Sequence, residues 1–251
     1  MLIDTHCHLD LPPLADELAP VLARAAAAGV GRFVCPGVAP AGWDGIKALA
    51  AAHPAIRPAY GIHPLAVDDN SPAALVRLPG YLAAAVAVGE IGLDYYERSA
   101  DREGQQAVFR QQLALAAACR LPVIIHCRAA FADLFRLLDE APTLVGGVLH
   151  AFSGSIESAR AAITRGFLIG VAGPVTWENA RKPVELVREL PLATLLLETD
   201  APDLAPAPYR GGVNEPANLP LIAARVAAIK GLAAAEVARV TSENAERIFH
   251  G

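Results

Sequence analysis

The chain has 251 residues, 54% of them hydrophobic, and a formal net charge of −5. That length and apolar content fill the core of one α/β barrel domain spanning 1–251, and the negative balance excludes a protein that coats nucleic acid through a broad basic surface, though not a nuclease with a small pocket. The longest apolar stretches, such as 82–88, are too short to span a bilayer, and the first ten residues carry Asp4, His6, His8 and Asp10 without a basic-then-apolar order; neither a membrane span nor a signal peptide is read, and a cytoplasmic location is expected.

Short apolar runs alternate with longer segments of helical periodicity, the pattern of parallel strands linked by crossover helices. In chain order the predicted strands are 2–7, 32–35, 57–62, 86–90, 123–126, 147–150, 167–171 and 195–199. Helical patterning is clearest at 101–119, where Phe109, Leu113 and Ala116 form a core stripe, and at 129–140. Gly29 after the Ala-rich first helix, Ser155 before a helix at 156–165 and Gly166 after it mark boundaries. The tail, 217–250, reads as helices packed outside the barrel, with Thr241 or Ser242 as N-caps. Cys7, Cys35, Cys119 and Cys127 show no C-x-x-C spacing and read as free core thiols. Eight strand and helix units predict a (β/α)8 TIM-type barrel with extra C-terminal helices, in which catalytic groups stand at the C-terminal ends of the strands.

Candidate ligands gather at those ends. Strand alternation turns His6 and His8 to one side and Cys7 to the other, and later runs end in Glu90, His126, His150 and Asp200. Four imidazoles and two carboxylates exceed the needs of one four-coordinate zinc, so two divalent ions are expected, zinc, magnesium or manganese. A pair about 3.5–4 Å apart takes a bridging anion. Lys47, Lys182 and Lys230 are the only lysines and none ends a predicted strand, which leaves Glu90 as the bridge. The assignment puts His6, His8 and Asp200 on one ion and His126 and His150 on the other. Glu90 and Asp200 are the catalytic residues, Asp200 orienting a water that two cations activate and accepting its proton. Asp4 and Glu198, two residues from His6 and Asp200, are expected to hydrogen-bond imidazoles, with a polar layer in the barrel floor as the alternative. His63, after the third strand, is open between substrate contact and loop packing, while His53 and His250 read as surface residues. Arg98, Arg102, Arg128 and Arg210 lie near the expected rim, and Arg128 and Arg210 are singled out as functional.

These residues fall in motifs that resemble the TatD-type metal-dependent deoxyribonucleases, and look most like a less characterised bacterial branch of them. The motifs are Ile3-Asp4-Thr5-His6-Cys7-His8, Gly61-Ile62-His63-Pro64, Val88-Gly89-Glu90-Ile91-Gly92-Leu93-Asp94, Pro122-Val123-Ile124-Ile125-His126, His150-Ala151-Phe152-Ser153-Gly154 and Leu197-Glu198-Thr199-Asp200-Ala201-Pro202. The resemblance implies an amidohydrolase-type barrel, two divalent metals and hydrolysis of phosphodiester bonds in DNA, often from the 3′ end of single strands. It also implies that His63, Arg128 and Arg210 contact substrate and that Asp94 is structural or supports a ligand. Two departures bear on specificity: Asp203 stands where many relatives have an aromatic residue, and Val213 where they often have a basic one. The competing readings are hydrolysis of a small phosphodiester, an ester or a cyclic amide by the same centre, and a non-catalytic binding protein on the same fold. DNA is the expected partner, with no obligate protein partner.

Overall fold

Eight apolar runs become eight parallel strands hydrogen-bonded in chain order. They are β1 (Leu2–Asp4), β2 (Val30–Pro36), β3 (Ile56–Tyr60), β4 (Ala87–Asp94), β5 (Val123–Arg128), β6 (Gly147–Leu149), β7 (Phe167–Val171) and β8 (Leu195–Leu197). The structure is a computed structural model that describes residues 1–97 and 101–249, so Arg98 and His250 lie outside the described residues. Past the ends of β1 and β8 the ring is completed by single bonds: Thr5 N–H donates to Leu197 O (3.2 Å), Asp200 N–H to His6 O (2.9 Å) and His8 N–H to Ala201 O (2.8 Å). The result is the expected (β/α)8 barrel, nearly closed, with helices between the strands.

Strand alternation divides the apolar residues between two cores. One residue from each strand, Ile3, Val34, Ala59, Ala87, Ile124, Val148, Leu168 and Leu196, packs in a cluster inside the barrel, closed off by Ala245 and Phe249 from the chain's end. Their neighbours, among them Ile125, Leu149, Ile169 and Leu197, face outward onto helix residues such as Phe109, Leu113, Leu134 and Ala159. Each such aliphatic side chain contributes about 1.5–3 kcal/mol through burial.

Strands β1 and β8 stop earlier than predicted. The Asp4 carboxylate accepts the backbone N–H groups of His6 (3.3 Å) and Thr199 (2.9 Å), so side-chain bonds replace the ladder there. β4, in contrast, runs on to Asp94. The stripe Phe109, Leu113 and Ala116 is buried in the helix Arg102–Cys119, whose N-cap Asp101 accepts from Gly104 N–H (3.0 Å). Ser155 caps Ile156–Thr164 as expected. Two further readings are corrected. Thr241 and Ser242 lie inside the helix Ala234–Ile248, with Thr241 Oγ1 donating back to Val237 O (2.8 Å), because the Ala-rich run before them is already helical. Cys119 is exposed at a helix C-terminus, while the other three thiols are buried. No helix among the described residues is long and apolar enough to cross a membrane.

Candidate metal centre

The C-terminal mouth of the barrel holds a tight knot of imidazoles and carboxylates. On β5 and β6 simple alternation builds it: His126 lies two residues beyond the interior Ile124, and His150 two beyond the interior Val148. Glu90 arrives differently. The β4–β5 register shifts between Val88 and Ile91, and this irregularity re-aims Glu90 toward the other donors. Gly92 permits the close approach of the two strands: its φ is 143°, and an added Cβ would overlap the His126 carbonyl oxygen. His6 and His8 sit past the end of β1, where bends at Thr5 and His6 break the strand, so their shared side comes from this turn rather than from strand alternation. Asp200 adopts φ 55°, a conformation uncommon outside glycine, just past β8.

Glu90 is buried at the middle and its two oxygens face different groups. Oε1 lies 2.6 Å from His150 Nε2, 3.2 Å from His126 Nδ1 and 3.4 Å from His63 Nε2. Oε2 lies 3.2 Å from His6 Nε2 and 3.8 Å from His8 Nε2. Asp200 Oδ1 stands 3.5 Å from His6 Nε2 and 3.7 Å from His8 Nε2. Among the described residues three donor groups compact enough for an ion result: His6, His8 and Asp200; His6, Glu90 and His150; and His63, Glu90 and His126.

Donor chemistry separates these imidazoles. His126 Nε2 lies 3.1 Å from Asp94 Oδ2, so its Nε2–H is held by a carboxylate and its Nδ1 lone pair faces the cluster. His6, His8 and His150 instead turn Nε2 inward, and their buried Nδ1 atoms have no partner among the described residues. His6 and His8 Nε2 are 3.2 Å apart, and His126 Nδ1 and His150 Nε2 are 3.3 Å apart. Two nitrogens sharing one ion at tetrahedral angles are also about 3.3 Å apart. The residues present therefore fit divalent cations. His63 is the exception. Its Nδ1 accepts the N–H of Leu65 (3.1 Å), which leaves the ring proton on Nε2 and suits that atom to donating a hydrogen bond rather than a lone pair.

Electrostatics follow from burial and crowding. Burial would raise the Glu90 carboxyl, but the charges of His150, His6 and His63 and the His126 hydrogen bond hold it well below the usual carboxylate range. Asp200 is depressed in the same way, burial being outweighed by His8, His6 and His150. Burial, then the charge of His150, pushes His6 down to about 4. Burial opposes protonation of His8 and His126, yet flanking carboxylates raise each to about 9. A divalent ion bound among them would replace those protons.

Asp4 and Glu198 are corrected in their contacts. Asp4 takes the His6 and Thr199 amides and the Thr199 hydroxyl (2.5 Å), and Glu198 takes the Ala151 amide; neither bonds an imidazole. They brace the backbone of the ligand-bearing turns, and burial raises Asp4 to about 7 and Glu198 to about 8. Arg128 lines the mouth, but Arg210 does not: it stacks on Trp177, its Cζ 4.2 Å from the ring centre, and reaches Asn179 (3.4 Å). Arg102 stacks on Tyr95 instead of facing the centre.

Two buried glutamines went unread in the sequence. Gln112 donates to Ile62 O (3.2 Å) and accepts Ile62 N–H (2.7 Å), while Gln105 does the same for Asp94 (3.1 and 2.9 Å). Seven residues apart on Arg102–Cys119, they clamp the backbone beside His63 and at Asp94. The signal was available: both lie among the apolar positions of that helix, where a polar side chain needs a partner. The centre opens into a cavity of about 670 Å³, walled also by Leu11, Val38, Leu65, Asp203 and Leu204.

Barrel and centre together define a hydrolase barrel of the metal-dependent class, with its reactive groups at the C-terminal mouth. The chain belongs to the TatD family: the family model described as TatD related DNase matches residues 3–250. It is similar to YabD of Bacillus subtilis, named an uncharacterized metal-dependent hydrolase, with 39% identity over 252 residues and 99% of each chain covered. A Cronobacter sakazakii protein named 3′-5′ ssDNA/RNA exonuclease TatD is 39% identical over 241 residues, covering 91% of this chain and 90% of that one. The crystal structure of YjjV, a TatD homologue from Escherichia coli K12, matches with a TM-score of 0.94 at 36% identity, covering 100% of this chain and 98% of the other. The protein is a metal-dependent hydrolase of this family.

Proposed function

We propose that this chain hydrolyses phosphodiester bonds in DNA, acting from the 3′ ends of single strands in the cytoplasm, and that its centre holds two divalent cations, zinc, magnesium or manganese. His6, His8 and Asp200 hold one, His126 and His150 the other, with Glu90 between them. The observation that carries this reading is the divided Glu90 carboxylate, whose Oε2 faces His6 while Oε1 faces His150 and His126. When bound, such ions bring the pKa of a water toward neutrality and offset charge on the phosphate oxygens.

Asp200, its side chain 15% exposed and its carboxyl held in the ionised form, orients the attacking water and receives its proton. His63 donates its Nε2 proton to a phosphate or leaving oxygen, and Asp94 fixes the His126 ring. Arg128 attracts the phosphate backbone. Arg210 contacts the strand farther out, where Trp177 holds it. The water oxygen bonds phosphorus, the ester oxygen leaves, and its proton is supplied from the solvent or His63. The exonuclease name of the Cronobacter relative supports the 3′ polarity.

A smaller substrate is favoured by one feature: Leu11, Leu65 and Leu204 line the mouth, and Arg128 is the one arginine that does so among the described residues. The alternatives are a small phosphodiester, an ester or a cyclic amide. The test is cleavage of 3′-labelled and 5′-labelled single-stranded DNA by metal-stripped protein reloaded with magnesium, manganese or zinc, beside Asp200→Asn. Metal-dependent shortening from the 3′ end that the variant loses is expected. No cleavage with any metal, in protein that binds two ions, would transfer the reading to the smaller substrates.

A further inference from the structure

Two charges on the cavity wall stand outside the donor cluster. Arg128 ends β5, and Asp203 follows β8. Two strands, β6 and β7, stand between β5 and β8 on one side of the ring of eight and four on the other, so the cation and the anion rise from well-separated walls. The Arg128 guanidinium stacks on Tyr96, its Cζ 3.6 Å from the ring centre, and this ring is itself exposed. That wall offers a phosphate contact beside a stacking surface, the combination that suits a single strand.

The other wall is different. Asp203 N–H donates to Asp200 O (2.9 Å), and Asp203 O accepts from Nδ2 of the fully buried Asn214 (2.8 Å). Its backbone is thus tied to the catalytic turn while its carboxylate is exposed at the mouth, with no cation at salt-bridge distance among the described residues. Leu204 and Leu11 flank it and lower the local polarity. An ionised carboxylate there accepts hydrogen bonds and repels phosphate.

We infer that Asp203 is a specificity residue that restricts the centre to strand ends. The strand leaves over Arg128 and Tyr96, and the terminal nucleoside lies against Asp203, whose carboxylate accepts a hydrogen bond from the terminal 3′-hydroxyl. A strand continuing through that position brings a phosphate against the carboxylate and is rejected. This inference rests on the nuclease reading above.

The experiment uses the metal-loaded protein and its Asp203→Asn and Asp203→Glu variants. Each is given a single strand ending in a 3′-hydroxyl, the same strand ending in a 3′-phosphate, and a covalently closed single-stranded circle. Binding of deoxyadenosine 5′-monophosphate and of the 3′,5′-bisphosphate is measured by calorimetry, which needs no turnover. Wild type and Asp203→Glu are expected to cut the hydroxyl-ended strand faster by about tenfold, to favour the monophosphate similarly, and to leave the circle intact. In Asp203→Asn both ratios fall toward one and the circle is cut. A wild-type ratio near one, or an unchanged ratio in Asp203→Asn, overturns the role of Asp203 and leaves the nuclease reading standing. Failure of all three proteins to cut or bind any of these overturns both.

Discussion

The two ends of the barrel are built from the same strands and behave as opposites. At the N-terminal end one apolar side chain from each strand fills the interior, and Phe249 covers it. Two residues farther along, the same inward positions turn ionisable: Ile124 gives way to His126, Val148 to His150 and Leu196 to Glu198. The apolar layer provides a rigid floor and the polar layer is mounted on it, so crowded charges that would destabilise an isolated site are held by packing beneath them. Function and stability are therefore separable by position along a strand, and substitutions at the two ends should fail in different ways.

The largest effect is expected at the upper end. Glu90→Gln keeps the shape of the side chain and removes its charge; hydrolysis is expected to fall by about 10³-fold or more, while the metal-free protein still unfolds cooperatively, its midpoint lowered because the ionised carboxylate pairs with His150, His6 and His126 in the fold. Retention of activity in a steady-state assay would break the contrast between the ends. Leu196→Ala, in the floor, should do the reverse, lowering stability by about 2–5 kcal/mol in urea titrations while the number of ions bound per chain stays the same. Loss of metal at unchanged stability would show that the floor and the centre are not divided in this way.

Smaller effects sharpen the comparison. Asp94→Asn should weaken metal binding by about 10–100-fold, because His126 loses the carboxylate that orients its ring; competition with a chromogenic chelator measures it. Chelating the metal from wild type should lower the thermal midpoint, and by more than it does in Glu90→Gln, as expected when ligand binds only the folded state. An equal drop in both would mean that the carboxylate contributes nothing to binding.

The floor was more legible in the sequence than the mouth. Alternating apolar runs located all eight strands, and His126 and His150 were legible as the residues that end two of those runs, on strands that stay regular. Where the backbone departs from regularity, periodicity loses its warrant. Glu90 reaches the centre through a register shift, and His6 and His8 through bends after a three-residue strand. The residues causing those departures, Asp4 with its amide contacts and Gly92 with φ 143°, are visible only once distant segments are brought together. Gln105 and Gln112 could be picked out as polar residues on a buried helix stripe, but not their partners, which lie 11 and 50 residues away. His63 shows the limit from another side: its proximity to Glu90 suggests a ligand, and only the Leu65 amide on Nδ1 reveals a donor.

The most direct test is a titration of metal-stripped protein with manganese or zinc, read as ions bound per chain and located by anomalous scattering. The account predicts two ions on either side of the Glu90 carboxylate, one beside His6, His8 and Asp200 and the other beside His126 and His150. A single ion per chain, or two ions with Glu90 contacting neither, would contradict it.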